Sequence, residues 1–440
     1  MAAPRDTDAA SWLDRLWSRI GDRGRPAAAA PAERARRLAE ALLSERGEAS
    51  GAALARELLR VVGELSPADR AGFHLFLAEG FDADADALRR AAEAWLATPT
   101  PELAASLAEA AEPRRQELLR RMNMAPGGTA ALVAMRREVL GGMKDAPRLG
   151  LLEGDLRHLL ASWFNRGFLE LRRIDWHTPA IVLEKLIAYE AVHEIHGWDD
   201  LRRRLAPDRR CFGFFHPALP EEPLIFVEVA LVEGLATAIA PLLARDEEGD
   251  GAAAARARRA DTAIFYSISN CQEGLRGISF GNLLIKQVVE ELKAELPQLT
   301  RFATLSPVPG LRRWAEGQDT PGLPEPDDPW WEDAARAEAL RPVLLRLAAA
   351  YLTRPATEGR IDPVARFHLG NGARLEAIHF LANLSPRGMR ESFGIMVSYL
   401  YDAAAIEANH EAFVRTGAVA RSAAVEALLA RPRRRGGAQP

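Results

Sequence analysis

A serine and a histidine in separate segments have the surroundings of catalytic side chains. Ser306 ends a short apolar run and is followed by Pro307-Val308-Pro309-Gly310. The prolines restrict the backbone after the serine and favour an extended conformation at Ser306, so its hydroxyl is held in place. His368 precedes a Gly-Asn-Gly turn, where we expect a following helix and access to a cleft. Each residue also has a structural interpretation, as a proline-braced strand exit or a packed histidine.

A glycine-rich loop upstream of Ser306 has the composition of a phosphate site. Residues 262–269 alternate between apolar and small polar side chains, which predicts a strand, and apolar residues at helical spacing follow from Leu284. The loop between them contains Arg276, Gly277, Ile278, Ser279, Phe280, Gly281 and Asn282. Glycine allows close approach of an anion, and a helix N-terminus offers unpaired N–H groups and a favourable dipole. Phosphate binding and a plain strand-to-helix connection both fit this pattern.

The elements that position these residues divide into a helical part and a mixed part. We expect a disordered arm over residues 1–31, a helical domain over 32–167, a sheet-containing domain over 168–425 and a basic flexible tail over 426–440. Ser66-Pro67 and Thr100-Pro101 are start signals in the helical part, because a capping hydroxyl precedes a first-turn proline. A long helix over residues 152–171 is predicted to close it.

In the sheet-containing part, residues 211–215 and 225–232 predict a strand hairpin, and residues 302–305 a short strand. A helix begins at Thr178-Pro179 and is predicted to end near Gly197. Residues 244–259 are charged and alanine-rich, and we expect a mobile excursion there.

Composition excludes several classes of protein. The 440 residues suffice for two or three domains, and a net charge of −4 gives no field for nucleic acid or an anionic membrane. The two cysteines, Cys211 and Cys271, suit a reducing cytosol, and we interpret Cys271 as a small buried residue. His193 and His196 lack the i, i+4 spacing of a helical zinc site, so we expect no metal.

Three segments, FYSISNCQEGLRGISFGNLLIK, ATLSPVPG and FHLGNGA, occur in the order and spacing found in malonyl-CoA decarboxylases. The likeness extends over nearly the whole chain, so the chain resembles that family. The resemblance implies an α+β fold, in which an all-helical bundle domain that mediates self-association precedes a GNAT-like (acetyltransferase-fold) mixed sheet flanked by helices. It further implies a cytoplasmic homo-oligomer of fatty acid metabolism that binds malonyl-CoA and acetyl-CoA.

The resemblance also assigns roles to residues. It implies that Ser306 and His368 form the catalytic pair, with His368 as proton donor, and that Ser267 and Tyr401 complete the polar lining. The glycine-rich loop would hold the coenzyme A pyrophosphate. One departure is Ser279, where animal relatives carry an acidic residue. Loss of carbon dioxide from a malonyl thioester leaves an enolate, which needs charge stabilisation and a proton but no redox cofactor.

These observations favour a malonyl-CoA decarboxylase that gives acetyl-CoA and carbon dioxide. Two alternatives stay open. A coenzyme A-dependent acyltransferase would use the same loop and need a pocket for an amine or hydroxyl acceptor. A catalytically silent acyl-CoA-binding scaffold would be favoured if Ser306 and His368 were far apart.

Overall fold

A computed structural model describes residues 30–44, 47–244, 249–278, 284–318, 320–354 and 361–430. The chain divides into two compact units, Met1–Leu159 and Leu160–Pro440. This division falls a short way before the predicted domain boundary at residue 168. Of the predicted N-terminal arm, only Ala30 and Pro31 are described, and Pro31 begins a helix.

The first unit is helical throughout its described residues. Its helices, the last of which extends beyond it, are α1 Pro31–Ser44, α2 Glu48–Glu64, α3 Pro67–Gly80, α4 Ala85–Ala97, α5 Pro101–Ala111, α6 Arg114–Asn123, α7 Gly128–Gly142 and α8 Leu149–Trp163. Both predicted start signals are confirmed, because the Ser66 hydroxyl accepts the Asp69 N–H and the Thr100 hydroxyl accepts the Leu103 N–H. Each cap satisfies a backbone donor that the helix cannot satisfy itself.

The second unit is built on one eight-stranded mixed sheet with the order β1-β2-β3-β4-β5-β8-β6, in which β7 also pairs with β8. The strands are β1 Glu170–Ile174, β2 Arg209–Phe215, β3 Ile225–Val232, β4 Thr262–Asn270, β5 Arg301–Thr304, β6 Ser306–Pro307, β7 Arg374–His379 and β8 Met396–Leu400. β2 and β3 form the predicted antiparallel hairpin. β4 and β5 are parallel, and the other pairings are antiparallel.

Helices connect and cover these strands. They are α9 Ala180–Tyr189, α10 Trp198–Arg204, α11 Ala240–Leu243, α12 Gly249–Arg259, α13 Leu284–Glu295, α14 Leu311–Glu316, α15 Ala334–Thr353, α16 Pro363–Gly370, α17 Pro386–Ser392, α18 Ile406–Thr416 and α19 Ala423–Leu429. α13 joins the parallel strands β4 and β5, as the alternation before the glycine-rich loop and the helical spacing after it predicted. The predicted α+β class, with a helical part followed by a mixed sheet flanked by helices, is confirmed.

Two predicted helices are shorter than expected. The helix predicted over residues 152–171 ends at Trp163, because the Asn165 side chain bonds the Ser162 carbonyl and the Gly167 N–H and turns the chain towards β1. The helix predicted to reach Gly197 ends at Tyr189. There the Glu190 carboxylate accepts backbone N–H groups that a continuing helix would use.

Two further expectations need correction. The excursion predicted over residues 244–259 contains α12, whose Ala253 and Ala257 are buried; alanine favours a helix and allows close packing. α19 runs to Leu429, so the predicted basic tail begins inside a helix. No helix in the described ranges has the length and apolar character needed to cross a bilayer.

Candidate active site

Ser306 lies in β6, which follows β5 along the chain and pairs with β8, and only 5% of the residue is exposed. Its main chain pairs with Val397 of β8, and Pro307 continues the strand, so the predicted extended backbone is present. The Ser306 hydroxyl donates to Thr304 Oγ1 over 2.9 Å, and Thr304 Oγ1 also accepts the Tyr399 N–H over 3.0 Å. The serine is therefore fixed by neighbours on two strands.

His368 lies in the last turn of α16, and its ring contacts Ser306 directly. Nε2 is 3.2 Å from Ser306 Oγ, and Nδ1 is 2.7 Å from the Tyr401 hydroxyl. The ring also stacks on Tyr399, with 4.7 Å between ring centres and 22° between planes. The structure thus brings Ser306, His368 and Tyr401 into one hydrogen-bonded chain. The expectation of a helix after His368 is wrong, because the histidine ends a helix and the following turn leads to β7.

Burial controls the ionisation of the His368 and Tyr401 side chains. It lowers the pKa of His368 to about 3, because the charged ring would lose its hydration. Burial likewise raises the pKa of Tyr401 well above its usual range. At neutral pH the three side chains are uncharged, which suits a dry site in which charge develops only when substrate reacts.

Ser267 belongs to a different cluster. Its hydroxyl donates to the two Glu190 carboxylate oxygens over 2.9 and 2.8 Å and lies 3.3 Å from Ser269 Oγ. Glu190 Oε1 also accepts the N–H groups of Val192 and His193, each over 2.7 Å. Because its single proton is committed to Glu190, Ser267 can only accept a hydrogen bond from a bound molecule unless this cluster rearranges.

A cavity of about 860 Å³ is lined by Glu190 and by chain neighbours of Ser306 and His368, but not by the side chains of Ser267, Ser306, His368 or Tyr401. Glu190 and His193 line one side, and Pro307 and Pro309, which brace Ser306, line another, together with Val364 from the helix that carries His368. His193 Nε2 is buried without a hydrogen-bond partner. Burial, followed by the charge of Arg204, lowers the pKa of His193 to about 4. His193 is therefore a neutral residue at the edge of the cavity.

The glycine-rich loop is described only in part. Arg276 and Gly277 are exposed and Ile278 is buried, while residues 279–282, from Ser279 to Asn282, lie outside the described residues. Gly277 has φ +79°, a conformation that other residues adopt only with strain. Its pyrophosphate role stays a prediction.

Two family models match the chain along most of its length. The malonyl-CoA decarboxylase C-terminal domain matches residues 167–438. The chain belongs to the malonyl-CoA decarboxylase family. The malonyl-CoA decarboxylase N-terminal domain matches residues 81–164, so the two family domains meet near the predicted boundary at residue 168.

Relatives with this name support the assignment. The mitochondrial malonyl-CoA decarboxylase of Anser anser anser is 35% identical over 340 residues, 69% of this chain and 67% of that protein. The mitochondrial enzyme of Mus musculus is 34% identical over 325 residues, 66% of this chain and 65% of that protein. The crystal structure of malonyl-CoA decarboxylase from Rhodopseudomonas palustris is 52% identical, covers 90% of this chain and 99% of that one, and has a TM-score of 0.83. The chain is accordingly an enzyme, a carboxy-lyase.

The structure also bears on three interpretations made from the sequence, which concern a metal site, Cys271 and the distance between Ser306 and His368. No group of three or more His, Cys, Asp or Glu side chains in the described ranges is placed to hold a metal ion. His193 is buried, whereas His196 is exposed. Cys271 is buried, as expected, and burial raises the pKa of its thiol. The separation of Ser306 from His368 that would favour a silent scaffold is not observed.

Several residues of the site escaped the sequence analysis. Thr304 and Ser306 are two apart, as are Tyr399 and Tyr401, and a period of two predicts side chains on one face of a strand. That signal could have found Thr304 and Tyr399. Asp362-Pro363 is a helix start signal that would have placed His368 within a helix. Glu190 gave no signal, because its side-chain partners Ser267 and Ser269 lie far away in sequence.

Proposed function

We propose that this chain decarboxylates malonyl-CoA to acetyl-CoA and carbon dioxide through an enolate that Ser306 and His368 stabilise and protonate. The names of its relatives supply the substrate. The observation that carries the proposal is the 3.2 Å contact between Ser306 Oγ and His368 Nε2 in a buried site. Buried, fixed donors are effective where negative charge develops.

The reaction breaks one carbon–carbon bond and forms one carbon–hydrogen bond. The pair of electrons from the bond to the carboxylate moves onto the thioester, giving carbon dioxide and an enolate. The enolate carbon then takes one proton. Ser306 is suited to donate a hydrogen bond to the acyl group once its hydroxyl turns away from Thr304 Oγ1, and His368 is suited to deliver the proton.

Because the pKa of His368 is low in the free protein, the ring must take up its proton when the substrate binds. A neutral imidazole is a poor acid, but the carboxylate of a bound malonyl group would raise the His368 pKa by charge pairing in a dry site. Tyr401 can accept the Nδ1–H of the protonated ring over their 2.7 Å contact. Tyr401 therefore orients the ring while Nε2 faces Ser306 and the substrate.

The remaining parts of the proposal concern binding. We assign the coenzyme A pyrophosphate to the loop from Arg276 to Asn282, supported by the positive φ of Gly277 at its start. The chemistry needs no cofactor, because the thioester itself accepts the electrons. Two free, buried cysteines, Cys211 and Cys271, support a reducing compartment, and we propose the cytoplasm.

Self-association through the first unit is a further part of the proposal. The helical pair α4 and α5 contains no buried residue, although both helices carry apolar side chains. Leu96 of α4 is 70% exposed. A second copy of this pair would cover such surface, in keeping with the homo-oligomer that the family resemblance implies.

The function is tested by supplying malonyl-CoA alone, in heavy water and with a strong chelator. We expect acetyl-CoA and carbon dioxide in equal amounts, with one deuterium in each acetyl group. Turnover that requires an amine or hydroxyl acceptor would favour the acyltransferase, and loss of turnover restored by zinc would favour a metal enzyme. No product under any of these conditions would contradict the proposal.

A further inference from the structure

We propose that Asp362 is the positioning residue that holds the Ser306 segment and the His368 helix in register. This inference rests on the proposed function, since it treats Ser306 and His368 as the catalytic pair. Asp362 precedes α16, and His368 lies near the other end of that helix. The hydrogen-bond partners of the Asp362 carboxylate are Gly310, Tyr351, Val364 and Ala365, so Asp362 would act on the catalytic pair through the backbone.

One carboxylate oxygen of Asp362 caps α16. Oδ1 accepts the Val364 N–H over 2.9 Å and the Ala365 N–H over 3.2 Å. A cap fixes the first turn of a helix and so the direction in which its chain enters. Because α16 has eight residues, about two turns, a shift of its first turn moves His368 with it.

The other carboxylate oxygen binds the segment that follows Ser306. Oδ2 accepts the Gly310 N–H over 3.2 Å, and it also accepts the Tyr351 hydroxyl over 3.2 Å. Gly310 directly follows the segment Ser306-Pro307-Val308-Pro309, in which the two prolines leave little backbone freedom. One carboxylate therefore joins the backbone beyond Ser306 to the helix that carries His368.

A helix cap does not need a buried carboxylate that also bonds a second segment. Asp333 caps α15 with the same geometry, accepting two backbone N–H groups over 2.9 and 3.2 Å, yet Asp333 is exposed. Asp362 is only 2% exposed, and burial raises its pKa while the hydrogen bonds from Ala365, Gly310, Val364 and Tyr351 oppose that rise. Burying a carboxylate costs stability, so the additional contacts of Asp362 call for a reason beyond the cap.

The packing around Gly310 leaves no room for a side chain. A Cβ at Gly310 would lie 2.1 Å from the Tyr351 hydroxyl oxygen and 3.3 Å from Asp362 Oδ2. The Tyr351 ring in turn packs on Trp314 of α14, with ring centres 5.3 Å apart. The bridge is therefore a closely fitted contact of three segments, and a change in any of them should alter the Ser306–His368 distance.

The test uses Asp362→Asn, because asparagine caps helices as well as aspartate does. When the side-chain oxygen of Asn at this position accepts the N–H groups of the first helical turn, its NH₂ group faces the Gly310 N–H. Two donors cannot bond each other, so the link to Gly310 is lost. We expect kcat to fall by about 10-fold or more with less than a twofold change in KM, since small misplacements of catalytic groups are costly. Asp333→Asn, the matched control, should leave both constants unchanged.

A second readout follows the His368 ring without turnover. In the free protein labelled with ¹⁵N-histidine, the His368 signals are assigned by their loss in His368→Asn. We expect Asp362→Asn to move the Nε2 signal towards its position in Ser306→Ala, while Asp333→Asn leaves it in place. If the chain fails to decarboxylate malonyl-CoA, the proposed function falls, but this shift still decides the role of Asp362.

Two further variants test the inference if Asp362→Asn does not fold. Gly310→Ala should displace the bridge and lower kcat, and adding Tyr351→Phe, which removes the nearest clashing atom, should restore part of the loss and part of the Nε2 shift. An unmoved His368 signal in both Asp362→Asn and Gly310→Ala would overturn the inference. So would equal losses of kcat in Asp362→Asn and Asp333→Asn.

Discussion

His368 has its ionisation set by burial, and this has a measurable effect on stability. Its pKa is about 3 in the folded protein against 6.5 for a solvated histidine. Between these values the unfolded chain binds the proton and the folded chain does not. The free energy of unfolding must therefore fall as the pH drops from about 6.5 towards 3, and the contribution is fully present only above about 6.5.

His368→Gln should make the pH dependence of stability shallower over that range. Urea unfolding of the wild type and the variant at about pH 7 and about pH 4.5 measures the difference. The same substitution at His177, whose side chain is 96% exposed, is the control and should leave the dependence unchanged. Parallel stability curves for wild type and His368→Gln would mean that the ring is solvated in the folded protein.

The sequence could predict which residues lie together at the site only where a motif or strand periodicity marked them. Ser306, His368 and Tyr401 were all predicted and lie in one hydrogen-bonded chain, although their roles stay predictions. Ser267 was placed in the same lining, but it is bound to Glu190. That contact joins residues 77 apart in sequence, and no local pattern reports such a pairing.

At the scale of elements, β2 to β5 were predicted close to their observed bounds, whereas β1, β7 and β8 were not predicted and two helix ends were missed. Alternation identified β4, whose burial follows from its central place in the sheet. The end of α9 was missed because a side chain, that of Glu190, terminates it by taking backbone donors. Helical spacing of apolar residues continues past such a point, so the pattern alone cannot show the end.

The glycine-rich loop gives a prediction at this scale. If it binds pyrophosphate equally in the ground and transition states, Gly277→Ala, which strains a φ of +79°, should raise KM for malonyl-CoA by several-fold at nearly constant kcat. Gly417→Ala imposes similar strain at φ +70° in the cap of α18 and is the matched control. A collapse of kcat at unchanged KM in Gly277→Ala would place the loop at the reacting carbons instead.

At the scale of the whole molecule, the two units were predicted as separate domains of different class. The helical character of the first unit followed from repeated start signals and apolar spacing. Which helix faces of the first unit stay exposed could not be predicted. An apolar helix face gives the same sequence pattern whether it packs against its own chain or against a second copy. The unburied pair α4 and α5 is visible only in the structure.

Leu96→Glu tests the proposed self-association. A charge at this exposed apolar position should disfavour burial against a second copy and shift the protein towards monomer in light scattering after size exclusion. Val414→Glu, at a residue of α18 that is 63% exposed, is the control and should leave the mass unchanged. An unchanged mass in Leu96→Glu would remove this surface from the interface.

The central claim is that Ser306 and His368 act as one unit, and the most direct measurement is kcat for a double-mutant cycle on malonyl-CoA. His368→Asn should lower kcat by a factor on the order of 10² or more, the range for loss of a general acid. Ser306→Ala should cost a similar factor, and the double variant should be little worse than either single one. Losses that multiply in the double variant, or near-wild-type kcat in either single variant, would contradict the account.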